Sequence, residues 1–300
     1  MRRPIQLVLS MLAVTVLLLA TTAASSAHQA GTTYLKVKGG AHGGGGSKPQ
    51  RSSNLFFHGG SVETSVAVYL VFWGDWSGAG AAQSYVTNFF SGVGGSSWAN
   101  STTQYCQGVP AGTIQCGSSG AHPGNPSNEL AGTWNDTGTP VPSSPTQAQI
   151  AAEASNGATH FGGLNPGADY MVFTPSGHSQ SGFGTQWCAY HSSSGQMSYS
   201  YMPYQPDAGA SCGQNFVNSN GVFDGFSIVG GHEYAETITD PYPNSGWLDG
   251  RGAENGDKCA WISSGQGAAS NIALSTGTFA VQSLWSNAFN GGLGGCVLSY

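Results

Sequence analysis

The amino-acid sequence predicts a mixed α/β (α+β) domain built on a mixed sheet, with many loops and several disulfide bonds. Two segments, 64–73 and 169–174, are rich in β-branched and aromatic residues without clean alternation, as in strands that are buried on both faces. Apolar residues at helical spacing predict helices at 81–90, 146–156 and 225–239. The 47 glycines and six cysteines are typical of an exported domain with many turns.

Shorter β segments complete the expected fold. A third strand is predicted at 198–202, and a C-terminal β region is predicted around 279–282. Residues 283–300 are expected to form a strand pair near Cys296. Mostly loop with short strands is expected between 92 and 145, because glycine, serine, proline and asparagine dominate there.

The first 27 residues have the pattern of a secretory signal peptide. Arg2 and Arg3 precede an apolar run over 5–20, and small residues follow up to Ala27, where we expect cleavage. The run is short for a membrane-spanning helix, and no other stretch of the sequence has the length and apolar character to cross a membrane. We therefore expect a secreted, extracellular protein with no membrane attachment after cleavage.

Residues 28–53 follow the signal peptide and differ from the rest of the chain. They contain glycine runs and scattered basic residues, and nothing in their composition predicts a core. We expect a flexible lead or a short propeptide here, followed by a single globular domain over 54–300. We expect this domain to act as a monomer.

The charge of the mature chain argues against two classes of partner. Without Arg2 and Arg3, six basic side chains face 14 acidic ones, which gives a net charge of −8. Such a chain is not expected to bind nucleic acid or an anionic surface.

Seven of the 14 carboxylates fall between residues 224 and 257. Because carboxylates repel each other, a cluster of this kind needs a cation, a shared proton or full solvation.

The six cysteines predict disulfide bonds, because an even number in an exported chain is usually paired. Fifteen pairings are possible, and the simplest one follows chain order. It joins Cys106 to Cys116, Cys188 to Cys212 and Cys259 to Cys296. A thiolate metal site is the alternative, but no Cys-x-x-Cys spacing supports it.

The helix predicted at 225–239 divides into two faces. At about 100° per residue, one arc of roughly 120° collects most of its polar side chains. That arc holds His232, Glu233, Glu236, Thr239 and Asp240. The apolar remainder is expected to face a core, and Pro241 is expected to end the helix, since the residue before proline disfavours the α region.

Residues 232–236 read His-Glu-x-x-Glu, one residue away from the His-Glu-x-x-His helix of zinc hydrolases. In that zincin pattern the first and fifth positions bind zinc, and the glutamate between them is the general base. Here His232 and Glu236 would bind the metal, because a carboxylate oxygen can replace the second histidine. Glu233 would be the catalytic base. The alternative is a solvated helix face with an ordinary His–Glu pair.

A third ligand must come from elsewhere, and Glu254 and Asp257 are both candidates. They lie 18 and 21 residues past Glu236, and a disulfide at Cys259 would hold their loop rigid. Asp257 could instead cap a turn, and Glu254 could be solvated. His191 is a further candidate, either as a ligand or as a stabiliser of the transition state, with a purely structural role as its alternative.

Zinc is the expected metal, with calcium as the alternative. A set of two carboxylates and one histidine favours a harder ion, such as calcium or manganese, more than a set with two histidines does. A structural calcium site therefore competes with a catalytic zinc site. Asp240, one turn beyond Glu236, could orient His232 or Glu236, or it could bond to the backbone at the end of the helix.

Several segments, taken together and in order, resemble the EXORDIUM or phosphate-induced protein family. They are LFFHGGSVETSVAVYLVFWGDWS, SYVTNFFSGV, SSWANSTTQY, FGTQWCAYHSS, GVFDGFSIVGGHEYAETITDP and AENGDKC. Members are extracellular proteins, known from plants in connection with growth and cell-wall responses, with relatives in bacteria. The resemblance implies export and a shared fold, and it implies no established reaction.

Two functional hypotheses follow from the sequence. The first is a secreted, zincin-like, metal-dependent hydrolase, above all a peptidase, acting on a peptide or cell-wall substrate. The second is a non-catalytic, EXORDIUM-like, extracellular matrix-associated protein with a structural cation. Other schemes have less support, because no Gly-x-Ser-x-Gly directly joins a predicted strand to a predicted helix, as a nucleophile elbow requires, and no feature sets the separation that a paired-carboxylate glycosidase needs.

Overall fold

The computed structural model describes residues 31–39 and 54–300. Its strands are β1 (Thr32–Lys36), β2 (Phe56–Phe57), β3 (Ala67–Trp73), β4 (Leu130–Asp136), β5 (Ala168–Phe173), β6 (Trp187–Ser194), β7 (Met197–Met202), β8 (Trp247–Leu248), β9 (Ser270–Leu274), β10 (Gly277–Val281), β11 (Leu284–Ser286) and β12 (Gly295–Val297). Its long helices are α1 (Gly80–Val93), α2 (Gln147–His160) and α3 (Asp224–Thr239). Shorter helical segments occupy Ala99–Gln104, Gln205–Cys212, Asp257–Cys259 and Phe289–Gly292.

The core of the fold is a six-stranded mixed sheet in the order β1-β6-β7-β5-β3-β4, which confirms the predicted fold class. Strands β4, β3, β5 and β7 run parallel, whereas β6 is antiparallel to β7 and β1 is antiparallel to β6. Helices α1 and α3 pack on one face of this sheet, and α2 packs on the other. Because both faces are covered, β5 is buried throughout, which explains the missing alternation in its sequence.

The long helices match their predicted positions. Helix α2 begins after Thr146, whose hydroxyl accepts a hydrogen bond from the backbone N–H of Gln149, while the Gln149 side chain accepts one from the backbone of Thr146. It continues to His160, past the predicted end. Every residue of α3 is buried, so its polar arc faces the interior of the protein instead of solvent.

One prediction about the lead is wrong. Residues 31–39 belong to the fold, because Thr32–Lys36 pairs with β6 as the edge strand of the sheet. Leu35 lies opposite Ala189 and is fully buried in the core on the α1 and α3 side. The glycine-rich composition of the whole lead hid this short β-branched and aromatic run, which forms a strand because β6 offers an open edge. The predicted signal peptide, and the lead over 40–53, lie outside the described residues.

Strand β6 is an element that the sequence analysis did not assign. Its second half is Ser192, Ser193 and Ser194, which have weak strand preference and suggest a loop. The strand forms because β1 and β7 pair with its two sides and satisfy its backbone. This strand carries His191.

The three predicted disulfides are all present and are confirmed in chain order. Cys188–Cys212 joins β6 to the helical segment Gln205–Cys212, and Cys259–Cys296 joins the turn Asp257–Cys259 to β12. The predicted C-terminal β region and strand pair are β9–β10 and β11–β12. Among residues 31–39 and 54–300, no helix has both the length and the apolar character that a membrane span requires.

Candidate metal centre

Three elements bring the candidate residues together in one buried cluster. Strand β6 supplies His191, helix α3 supplies His232, Glu233 and Glu236, and the loop 254–257 supplies Glu254 and Asp257. Five of these side chains are fully buried. The side chain of Asp257 is 18% exposed, so the cluster reaches solvent on that side.

The loop 254–257 is fastened to α3 by hydrogen bonds. The amide of Asn255 donates to the carbonyl of Ala235 and to the Thr239 hydroxyl, both at 2.8 Å. The backbone N–H of Asp257 donates to Oε1 of Glu236 at 2.9 Å. These bonds place Glu254 and Asp257 against the polar arc of the helix.

Gly256 allows this close approach. A Cβ atom at this position would lie 2.6 Å from Nδ1 of His232 and 3.0 Å from Oε1 of Glu236. Any side chain larger than hydrogen would therefore push the loop away from the helix. The glycine in the Glu-Asn-Gly-Asp sequence thus has a direct role in assembling the cluster.

His232 is held in one orientation by Gln282. The Gln282 amide nitrogen donates to the Gly256 carbonyl at 2.8 Å, so its Oε1 is the atom that faces Nδ1 of His232, at 3.2 Å. Nδ1 therefore carries a hydrogen and donates it. Nε2 then faces Oε1 of Glu236 at 3.0 Å and Oδ1 of Asp257 at 3.9 Å.

Nε2 of His232 lies beside two carboxylates and pairs with Glu236 across 3.0 Å. A lone pair on this nitrogen would be repelled by the carboxylate oxygens, so a proton or a metal cation must lie between them. A histidine with one nitrogen fixed by an acceptor and the other directed at carboxylates has the arrangement of a metal ligand. The ligand atoms of His232, Glu236 and Asp257 all lie within 4.8 Å of one another.

His191 repeats this arrangement on the other side of Glu236. Its Nδ1 lies 3.3 Å from Oε2 of Glu233 and 3.5 Å from Oε2 of Glu236. Its Nε2 lies 3.5 Å from Oε1 of Glu254 and has no hydrogen-bond partner in the part of the chain that the structure describes. His191, Glu236 and Glu254 form a second group whose ligand atoms lie within 4.8 Å of one another.

Burial and mutual repulsion shift the pKa values of the carboxyl groups. Burial raises the pKa of Glu233, and burial together with repulsion from Glu236 raises the pKa of Glu254 well above its usual range. The same two causes raise the pKa of Asp257 to about 7. For Glu236 burial acts in the same direction, but the nearby His232 outweighs it and lowers the pKa.

For the two histidines, burial acts to lower the pKa and the neighbouring carboxylates act to raise it. Burial lowers the pKa of His232, but attraction to Glu236 outweighs burial and raises this pKa to about 9. For His191, attraction to Glu254 likewise outweighs burial and raises the pKa well above its usual range. The cluster therefore attracts positive charge, whether as protons on its imidazoles or as a cation.

The structure brings together every residue that the sequence analysis named for the site. The catalytic candidate Glu233 and the four ligand candidates His232, Glu236, Glu254 and Asp257 lie in one cluster. Asp240 takes its backbone role, since it accepts hydrogen bonds from the N–H groups of Asn244, Ser245 and Gly246. The alternative thiolate site fails, because Cys106 and Cys116 near His122 form a disulfide.

Gln282 is a site residue that the sequence analysis missed. It lies 50 residues beyond His232, directly after the last residue of β10. No sequence spacing connects a single glutamine to a helix that far away. The only signal in the sequence is that Gln282 is a polar residue directly after the apolar Val281. In the structure its side chain is buried.

Comparison of the chain with protein-family models, with curated proteins and with solved structures found no match. The chemistry of the site therefore has to be argued from its own residues. They form a buried set of two imidazoles and four carboxylates, with one side open to solvent at Asp257. Such a nitrogen and oxygen donor set suits zinc, manganese or calcium.

Proposed function

We propose that this protein is a secreted, zincin-like, metal-dependent hydrolase in which His232, Glu236 and Asp257 hold a zinc ion. The observation that carries the proposal is the position of Nε2 of His232, which faces Oε1 of Glu236 at 3.0 Å and Oδ1 of Asp257 at 3.9 Å while Gln282 occupies Nδ1. One imidazole and two carboxylates leave room for water or substrate at the metal. The bound zinc would supply Lewis acidity and an activated water.

Asp257 fits the role of the third metal ligand better than Glu254 does. Its Oδ1 faces the same nitrogen of His232 that Glu236 faces, at 3.9 Å. Its partial exposure also gives this side of the cluster contact with solvent, which a substrate or a water molecule needs. Glu254 is completely buried and lies next to His191 instead.

Glu233 is the proposed general base. It follows His232 on α3, and its Oε2 is held by Nδ1 of His191 at 3.3 Å. Its Oε1 is buried and has no partner among the residues described, so this oxygen is available to accept a proton. A base fixed beside the ligand residues needs no rearrangement before it acts.

The edge of β6 supports a peptide as the substrate. Residues 32–36 pair there as an antiparallel strand, with Thr33 opposite His191, so this edge accepts an extended backbone. Because β1 fills this edge in the structure, a peptide would have to displace β1 to lie beside the cluster, and it would then use main-chain hydrogen bonds for affinity. A cell-wall glycan has no such backbone groups to pair with β6.

A second candidate has an observation of its own. The complete burial of His191, His232, Glu233, Glu236 and Glu254 is typical of a structural ion site that is closed to substrate. In this alternative the chain is a non-catalytic, EXORDIUM-like, extracellular protein, and a harder ion such as calcium binds the carboxylates.

Metal analysis combined with the Glu233→Gln variant tests the proposal. The mature protein should contain zinc, His232→Ala should lose it, and Glu233→Gln should keep it while hydrolysis of a peptide library is abolished. Glu153→Gln is a matched control, because Glu153 is a buried carboxyl on α2, across the sheet from the cluster. Bound calcium without turnover would favour the second candidate, and no metal at all would reject both.

A further inference from the structure

We infer that the cluster holds two divalent cations that share Glu236, the second one lying between His191, Glu236 and Glu254. This inference rests on the proposed function, because it takes the cation at His232, Glu236 and Asp257 as the first. It adds a second metal site on the β6 side of the cluster.

The first observation is the set of polar atoms that one cation leaves without a partner. Both carboxylate oxygens of Glu254, Oε2 of Glu236 and Nε2 of His191 are buried, and the closest approaches that His191 makes to these oxygens are long, at 3.5 Å. A cation held by Nε2 of His232 and Oε1 of Glu236 lies on the other side of Glu236 from Glu254 and Nε2 of His191. A buried carboxylate with only long contacts is costly, so this position favours a further positive group, which a cation between His191 and Glu254 would supply.

The second observation is the position of Glu236 between the two histidines. Its Oε1 lies 3.0 Å from Nε2 of His232 and its Oε2 lies 3.5 Å from Nδ1 of His191, and ligand atoms of His191, Glu236 and Glu254 lie within 4.8 Å of one another. Each carboxylate oxygen therefore faces a different imidazole. Sites with two metal ions about 3.5–4 Å apart are a recurring solution in hydrolases, and a carboxylate of this geometry can contact both ions.

The third observation is the balance of charge. Glu233, Glu236, Glu254 and Asp257 carry four negative charges when ionised, and each is at least four-fifths buried. Once metal binding has displaced the protons from both imidazoles and from these carboxyl groups, one divalent cation leaves two of the four charges uncompensated. Two divalent cations neutralise all four, which removes the penalty of buried unpaired charge.

The fourth observation is that both histidines are oriented in the same way. Gln282 fixes Nδ1 of His232, and Glu233 fixes Nδ1 of His191. In each case the nitrogen left over faces a carboxylate oxygen, Glu236 for one and Glu254 for the other. This repeated arrangement of acceptor, imidazole and carboxylate is the one that metal-binding histidines adopt.

Metal stoichiometry tests the second site without any need for activity. The full chain is freed of metal by a chelator and titrated with Zn²⁺ or Mn²⁺, with bound metal measured by elemental analysis. We expect two ions per chain in the unaltered protein and in the Glu153→Gln control. We expect one ion in Glu254→Gln, one in Asp257→Asn, and binding at least tenfold weaker at both positions in Glu236→Gln.

Two further measurements keep the test decisive. Thermal unfolding of each metal-free variant identifies any variant that fails to fold, and if Glu254→Gln fails, His191→Gln replaces it, because His191 is another ligand of the second site. In the Mn²⁺-loaded protein, two ions bridged by one carboxylate should give a magnetically coupled electron paramagnetic resonance signal, which Glu254→Gln should convert to that of an isolated ion.

One ion per chain in the unaltered protein overturns the second site, as does a Glu254→Gln variant that still binds two. A single ion with hydrolysis that depends on Glu233 leaves the proposed function intact and removes only this inference. Two ions without any hydrolysis leave the second site intact and remove the hydrolase.

Discussion

Oε1 of Gln282 lies 3.2 Å from Nδ1 of His232, and this contact links the C-terminal β region to helix α3. The Gln282 amide is itself held by the carbonyls of Gly256 and Ser283. His232 therefore has a fixed tautomer and a fixed ring orientation before any cation binds. The predictions below follow from this prearranged geometry and from the elements that enclose it.

Replacing Gln282 should weaken metal binding without removing a ligand. In Gln282→Leu, His232 loses its acceptor and its preferred tautomer, so we expect metal affinity to fall about 10- to 100-fold. Competition with a chelator of known affinity measures the change. Gln282→Glu keeps an acceptor oxygen and should bind metal far better than Gln282→Leu. Equal affinities in all three proteins would contradict the orienting role.

Gly256→Ala should disturb the cluster through the backbone. Its Cβ would lie 2.6 Å from Nδ1 of His232, so the loop must move away from α3. We expect weaker metal binding and a lower melting temperature. Gly250→Ala is the matched control, because a Cβ at that position meets no described atom within 4 Å. Metal affinity in Gly256→Ala that matched the control would show that the loop does not need this close approach.

Removal of β1 should open the cluster. A chain that begins at residue 54 lacks the strand that pairs with β6, so the backbone beside His191 loses its partner. We expect faster metal release to a chelator and, if the proposed function holds, faster peptide hydrolysis at the freed edge. Release as slow as in the longer chain would show that β1 does not screen the site.

Leu35→Ala distinguishes the loss of β1 from β6 from a general loss of stability. Leu35 is fully buried, so its truncation should cost about 2–5 kcal/mol of unfolding free energy. The variant keeps the backbone pairing of β1 with β6, and its metal release should therefore remain slow.

Glu153 should make the free energy of unfolding depend on pH, independently of the metal cluster. Burial raises the pKa of Glu153 to about 7, from an ordinary value near 4.5. The folded state therefore binds more protons than the unfolded state, and this carboxyl lowers stability as pH rises from about 4.5 to about 7. Glu153→Gln should be more stable than the unaltered protein at pH 8, and the difference should shrink towards pH 4.5. Urea unfolding at several pH values measures it, and a difference that does not change with pH would contradict the assignment.

Much of the fold could be predicted because its signals are local. The runs at 64–73 and 169–174 are strands since β-branched and aromatic residues there fill a sheet that is covered on both faces. The capping residues Thr146 and Gln149 mark the start of α2. Strands β1 and β6 were not predicted, because the glycines and serines in and around them have weak strand preference. These segments form strands because they pair with neighbouring strands.

The sequence by itself determined that His232, Glu233 and Glu236 share one arc of a helix, because the helical period places residues four apart on the same side. It offered chain order as the simplest of fifteen disulfide pairings, and the structure confirmed that pairing. Only the tertiary structure decided that His191 and Gln282 join this helix, and that Glu254 and Asp257 both reach it from opposite sides of Glu236. The helical period relates residues only within one helix. Contacts between residues that are 40–50 positions apart in the sequence depend on how the sheet, the helix and the loop pack together.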